Sequence, residues 1–310
     1  MEQKVHPDLI ETFSALEEMT LTVENIKDIR RKGRKSIVPY QNQNLILEER
    51  WINDNEKLRI KIYRPKNQKD TLPGVLFIHG GGYIFGSVEG NDAKCGDIVE
   101  KVNCVVISVD YRLAPEHPYP AAIEDCYVAL QWFVGNAQQY NVDPDNIAVL
   151  GGSTGGGLTA ALSLMARDRK GPKIKYQMPL FPMIDDSCQT KSCNEIIDKR
   201  VWCGDFNRLA WNQYLRNSIE EKTSIYAAPA RATDYSNLPP TYTSVGELDP
   251  FRDETIQYVT NLISAGVPVE FHLYPGCFHE FESIVPNASI SKLATEETYR
   301  ALKNALNSEW

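Results

Sequence analysis

A chain of 310 residues that is 42% hydrophobic and 24% charged can bury a sizeable core and lacks the composition of a disordered polymer. Its net charge of −8 at pH 7 argues against a nucleic-acid-binding surface, and no apolar run approaches the roughly 20 residues of a membrane span. Residues 1–9 are charged and hold no apolar stretch of the secretory type. Seven cysteines without a CxxC pair suit reduced thiols, so a cytoplasmic location is expected.

In chain order, His6-Pro7 precedes a helical pattern with Leu9, Ile10, Phe13 and Leu16 on one face. A second helix is expected from Thr22 as N-cap. It carries a basic run, Lys27, Arg30, Arg31, Lys32, Arg34 and Lys35. In an acidic chain that run reads as a solvated face sooner than as an anion-binding patch. Residues 45–52 and 58–63 read as a β-hairpin turning at Asn53-Asp54-Asn55-Glu56. From Gly74 onward, strand patterns at 75–78, 105–109, 147–150, 174–181, 241–245 and 269–274 alternate with helical ones. That alternation predicts an α/β fold, with a mostly parallel central sheet and helices on both faces. Residues 185–226 break it. They hold Trp202, Phe206, Leu209, Trp211 and Tyr214, with Asp205 placed to cap a helix reaching Arg216. The plain reading is a crossover helix with an aromatic core face; the functional one is a cap over a site.

The chemistry concentrates in four places. Gly151-Gly152-Ser153-Thr154-Gly155 follows a strand pattern and opens a helical one, the context of a nucleophile elbow. His79-Gly80-Gly81-Gly82 follows residues 75–78, and its glycines can aim backbone N–H groups at a developing oxyanion. Asp249 and His279 follow the strand patterns at 241–245 and 269–274. Each alone reads as an ordinary polar residue. Together, at the carboxyl ends of strands and in the chain order serine, acid, histidine, they read as a triad. Gly155-x-Gly157-x-x-Ala160 also matches a dinucleotide fingerprint, but no acidic residue follows about 20 positions on at a strand end. His117 reads as a surface or structural residue, His272 as part of a sheet face, His79 as part of the glycine loop, and Asp110 with Arg112 as a buried structural ion pair or hydrogen-bonded group. Cys188 and Cys193 lie close together, without further residues to complete a metal site.

With these motifs the chain resembles the hormone-sensitive-lipase-like carboxylesterases, the bacterial group IV branch of the α/β-hydrolase fold. His79-Gly80-Gly81-Gly82, Asp110-Tyr111-Arg112-Leu113-Ala114-Pro115-Glu116, Tyr119-Pro120-Ala121-Ala122, Asp249-Pro250-Phe251-Arg252-Asp253 and Tyr274-Pro275-Gly276 carry the resemblance. It implies Ser153 as nucleophile, Asp249 as orienting acid and His279 as base, with Gly81, Gly82 and Thr154 giving oxyanion N–H groups. It also implies a catalytic domain over 45–310 and a helical cap built from residues 1–44 and an insertion at about 185–226. The implied substrate is a small ester with a short acyl chain, with no metal or other cofactor. Edge-strand homodimers are common in the family. The chain departs from it at Gly152, where relatives usually carry Asp, at Thr154, usually Ala, and at Glu280, often Gly. The Thr154 side chain is expected to be idle. A peptidase or amidase on the same triad and a non-catalytic small-molecule receptor are the competing readings. Comparing ester with amide hydrolysis separates the first, and a burst of acyl-enzyme the second.

Overall fold

A computed structural model describes residues 1–52, 58–216 and 223–307. Eight strands form one sheet: β1 (Leu45–Ile52), β2 (Leu58–Pro65), β3 (Leu72–Ile78), β4 (Val105–Asp110), β5 (Val142–Gly152), β6 (Tyr176–Leu180), β7 (Thr241–Leu248) and β8 (Val269–Phe278). Their order is β1-β2-β4-β3-β5-β6-β7-β8. β1 and β2 enter antiparallel, β2 lies antiparallel to β4, and every later pairing is parallel. The hairpin strands form as read; the turn assigned to residues 53–56 lies outside the described residues.

The alternation of side chains along the strands sorts the helices onto two faces. Leu76, Ile78, Ile107, Val109, Ile147 and Val149 point to one face. There they meet α4 (Ala121–Asn136) and α5 (Thr154–Asp168). Val75, Phe77, Val106, Ala148 and Leu150 point to the other. They meet α3 (Asp92–Ile98) and the last helix, residues 289–307. α5, inside the sandwich, is buried almost all round, which explains why its sequence lacks a polar stripe.

The helices outside this frame sit over the carboxyl edge of the sheet. α1 (Ile10–Ala15) buries Leu9 and Phe13, and Phe13 packs on Phe278 with ring centroids 5.2 Å apart. α2 (Ile26–Ser36) starts three residues later than expected, with Asn25 and not Thr22 at the N-cap. The Asn25 side chain accepts the Thr22 N–H at 3.0 Å and donates to the Thr20 carbonyl, so the chain is still turning there. Five of the six basic residues on α2 are solvent-exposed, but Arg30 turns inward to Glu116 and to the carbonyls of Ile84 and Ala114. Within residues 185–226 lie α6 (Lys191–Glu195) and α7 (Gly204–Tyr214). Asp205 falls inside the first turn of α7 and makes no capping bond; Cys203 holds the cap position. The N-terminal segment touches this region directly. Met19 N–H donates to the Lys199 carbonyl, Glu2 pairs with Arg200, and the Arg200 guanidinium lies 4.1 Å from the Phe13 ring centre.

Asp110 and Arg112 do not pair with each other. The antiparallel register sets Arg59 opposite Asp110, and the two bond at 2.9 Å. Arg112 instead forks onto the buried Asp125 of α4.

Candidate active site

Ser153 lies between the end of β5 and the start of α5, at φ 57° and ψ −121°. Such a backbone costs on the order of 1–3 kcal/mol and persists only where neighbours fix it. Here Ser153 N–H donates to the Leu180 carbonyl at 3.0 Å, and its own carbonyl accepts from Gly157 and Met183. Gly152 lets the turn pass against Phe181: a Cβ there would sit 2.8 Å from the ring. That ring occupies the space an aspartate would need, which gives a physical reason for the departure at this position.

Because β5, β7 and β8 run parallel, their carboxyl ends bring three distant residues to one edge. His279 Nε2 lies 3.0 Å from Ser153 Oγ. Its Nδ1 lies 2.7 Å from Asp249 Oδ2, and Asp249 Oδ1 accepts the Phe251 N–H at 2.9 Å. This network assigns the Nδ1 proton to the aspartate bond and leaves Nε2 to accept from the serine. All three side chains are buried. Burial pushes the His279 pKa down, but the charge and hydrogen bond of Asp249, then Glu280 and Glu282, outweigh it and raise it above the ordinary value. Phe181 and Phe251 stand edge-on to the imidazole at 5.2 and 5.1 Å, and Trp202 lies across it at 6.4 Å.

The glycine loop after β3 supplies the other wall. Gly81 and Gly82 take φ of 124° and 61°. The Gly81 carbonyl accepts from Ile84 and Phe85, closing a tight turn. Thr154 is the first residue of α5, so no helix carbonyl takes its N–H. A Cβ on Gly82 would lie 2.3 Å from the Trp202 ring, so the indole rests directly on the loop. His79 braces the loop from behind. It stacks on Tyr111 at 4.2 Å, its Nδ1 meets the Gly80 carbonyl at 2.9 Å, and burial holds its pKa low and its ring neutral.

Two departures from the family take on a role. Thr154 Oγ1 accepts the Tyr83 N–H at 3.1 Å, so the side chain has a buried partner. Glu280 sits at φ 56° and ψ 28°, the left-handed region that favours glycine. With Gly80 and Gly81 it lines a cavity of about 1190 Å³ that opens on the glycine loop. Glu282 lines the same cavity; its Oε2 is buried without a partner, and burial pushes its pKa up.

The remaining sequence-level candidates lie elsewhere. His117 is exposed, and His272 pairs with Glu270 and Glu297 at the sheet edge. Cys188 and Cys193 are buried and share Asn207 Nδ2 at 3.4 and 3.5 Å. Among the described residues no group of three or more His, Cys, Asp or Glu is placed to hold a metal ion, and no helix is long and apolar enough to cross a membrane. Sequence reasoning did not assign Trp202, Phe181 or Tyr83 to the site. Trp202 and Phe181 reach it through tertiary contacts with no local pattern, and Tyr83, next to the glycine loop in the chain, shows its part only in the bond to Thr154.

A strained serine at a strand–helix elbow, with histidine and aspartate following at later strand ends of this sheet, defines an α/β hydrolase. A family model for the alpha/beta hydrolase fold matches residues 75–283. Esterase LipI of Mycobacterium tuberculosis is 37% identical over 250 residues, covering 78% of this chain and 75% of that protein. Carboxylesterase NlhH of the same organism is 36% identical over 273 residues, covering 85% and 84%. A solved structure of a bacterial heroin esterase superposes with a TM-score of 0.93 at 34% identity, over 99% of both chains. The chain belongs to the hormone-sensitive-lipase-like carboxylesterase family of the α/β-hydrolase fold and is a carboxylic ester hydrolase.

Proposed function

We propose that this protein is a serine carboxylesterase that cleaves small, short-chain acyl esters through an acyl-serine intermediate. The observation that carries the reading is the unbroken hydrogen-bond chain from Ser153 Oγ through His279 to Asp249, at 3.0 and 2.7 Å. Its nucleophile end is flanked by the glycine loop and the first N–H of α5. His279 takes the serine proton as Oγ attacks the ester carbonyl. Asp249 holds the imidazole tautomer and stabilises the imidazolium. The N–H groups of Gly81, Gly82 and Thr154 receive the oxyanion. His279 then returns the proton to the leaving alcohol, and water, deprotonated by the same imidazole, frees the acid from Ser153.

Short-chain preference rests on Trp202. Its ring lies against Gly82 and over His279, narrowing the space beside them. We assign residues 1–44 and about 185–226 jointly to a cap, because Glu2, Phe13 and Met19 hold the Lys199–Arg200 segment that leads into Trp202. Seven buried, unpaired thiols fit a reducing, cytoplasmic setting. The test is a panel of p-nitrophenyl esters from acetyl to palmitoyl, with mass detection of acyl on the Ser153 peptide. Turnover that peaks at short chains, with acyl on Ser153, is expected. Faster cleavage of palmitoyl than butyryl ester at matched solubility refutes the chain-length reading, and turnover without acyl-serine refutes the mechanism.

A further inference from the structure

Thr154 stands where relatives usually carry alanine, and the family resemblance gives it only a backbone role. Its side chain is fully buried, and Oγ1 accepts the Tyr83 N–H at 3.1 Å while facing Met183 Sδ at 3.7 Å. Tyr83 directly follows Gly82. This hydrogen bond therefore runs from the residue after one pair of oxyanion donors to the residue that carries the third.

The two arms have separate origins. Gly81 and Gly82 extend from β3, and Thr154 begins the helix after β5. Oxyanion donors act only when they converge within about 2.7–3.1 Å of one point, so the spacing between the arms matters. Tyr83 also sits at φ 61°, a strained setting for a bulky residue. Its carbonyl accepts from Ala114 at 3.0 Å, its hydroxyl reaches the Met183 carbonyl at 3.4 Å, and its ring stacks on Tyr214 at 3.7 Å. Those contacts hold Tyr83 to the surrounding shell. The bond to Thr154 Oγ1 is the one that joins it to the elbow.

We propose that the Thr154 hydroxyl is a positioning group that fixes the glycine-loop arm of the oxyanion site against the α5 arm. The proposal rests on the acyl-transfer reading above. Alanine or valine at 154 removes the acceptor and leaves a buried N–H unpaired, whereas serine restores it.

The test compares wild type with Thr154→Ser, Thr154→Ala and Thr154→Val on p-nitrophenyl butyrate, with inhibition by a trifluoromethyl ketone that forms a tetrahedral adduct. Valine and alanine are expected to lower kcat about tenfold with KM changed by less than about twofold, while serine keeps most of kcat. The ketone should weaken in parallel with kcat. Hydrogen exchange in a peptide spanning residues 80–85 should speed up in the alanine and valine proteins and not in the serine protein. A valine enzyme that matches wild type in kcat overturns the proposal, as does a serine enzyme that falls as far as valine. So does unchanged exchange at residues 80–85. An inactive wild-type protein would instead overturn the acyl-transfer reading, and the proposal with it.

Discussion

The contact between Gly82 and Trp202 allows a prediction with two separable parts. A Cβ on residue 82 meets two penalties. The residue sits at φ 61°, where alanine is less favourable than glycine by about 1–2 kcal/mol. The new carbon would also lie 2.3 Å from the Trp202 ring, well inside contact distance, so the loop or the indole must move. Overpacking of this kind costs about 1–3 kcal/mol. Gly82→Ala should therefore lose roughly 2–5 kcal/mol of stability, the sum of these two ranges. Its kcat should fall on the order of 10²-fold, because a displaced N–H is a lost oxyanion donor. In a Trp202→Ala background the steric part vanishes and the φ part remains. The coupling between the two positions should then be about 1–3 kcal/mol by urea denaturation in a double-mutant cycle. Equal losses from Gly82→Ala in both backgrounds would show that the indole does not bear on the loop.

Ser153→Ala should lower kcat by about 10⁶ and Asp249→Asn by about 10⁴, with both proteins folded by circular dichroism; near-normal turnover by either removes that residue from the mechanism. As the proposed base His279 must be neutral, and its pKa is raised, so kcat/KM should fall with decreasing pH along a limb above the ordinary histidine value. Glu280→Gln removes one of the charges that raise it and should move that limb to lower pH; an unmoved limb would exclude Glu280 from the titration. The same raised pKa stabilises the fold fully below the ordinary histidine value, and this contribution fades as pH rises through the raised one, which a Tm series across that window reads. Trp202→Ala should shift the acyl-length optimum upward on the ester panel, and an unshifted optimum would place the chain-length limit elsewhere.

The hydrogen-bonded Ser153, His279 and Asp249 and the sheet were legible because each depends on a local pattern. Ser153, Asp249 and His279 each follow a strand, and glycine marks the elbow and the loop after β3. What the sequence concealed depends on register or on distant packing. Asp110 and Arg112 are close neighbours in the chain, yet β2 pairing gives the first to Arg59 and α4 gives the second to Asp125. The start of α2 was misplaced because the Asn25 side chain, not Thr22, sets the turn before it. Trp202 read either as an aromatic of a crossover helix or as part of a cap, and only the fold lays it on Gly82. Gly152 and Glu280 were visible as departures; the Phe181 ring gives the first its reason, while the left-handed backbone at 280 suits the glycine of relatives and gives none for glutamate.

The packing of Phe13 on Phe278 sets an order in time. Leu9 and Phe13 are made long before β8, the last strand of the sheet, which brings Phe278; Arg200 of the segment before α7 reaches the Phe13 ring earlier. His6 N–H likewise waits for the Gly276 carbonyl. At about 5–20 residues per second, this first helix holds an uncovered greasy face for roughly 15–50 s while the sheet is assembled beneath it. α1 is thus made before the sheet yet is among the last elements to dock fully, and until it does the growing chain carries a sticky segment.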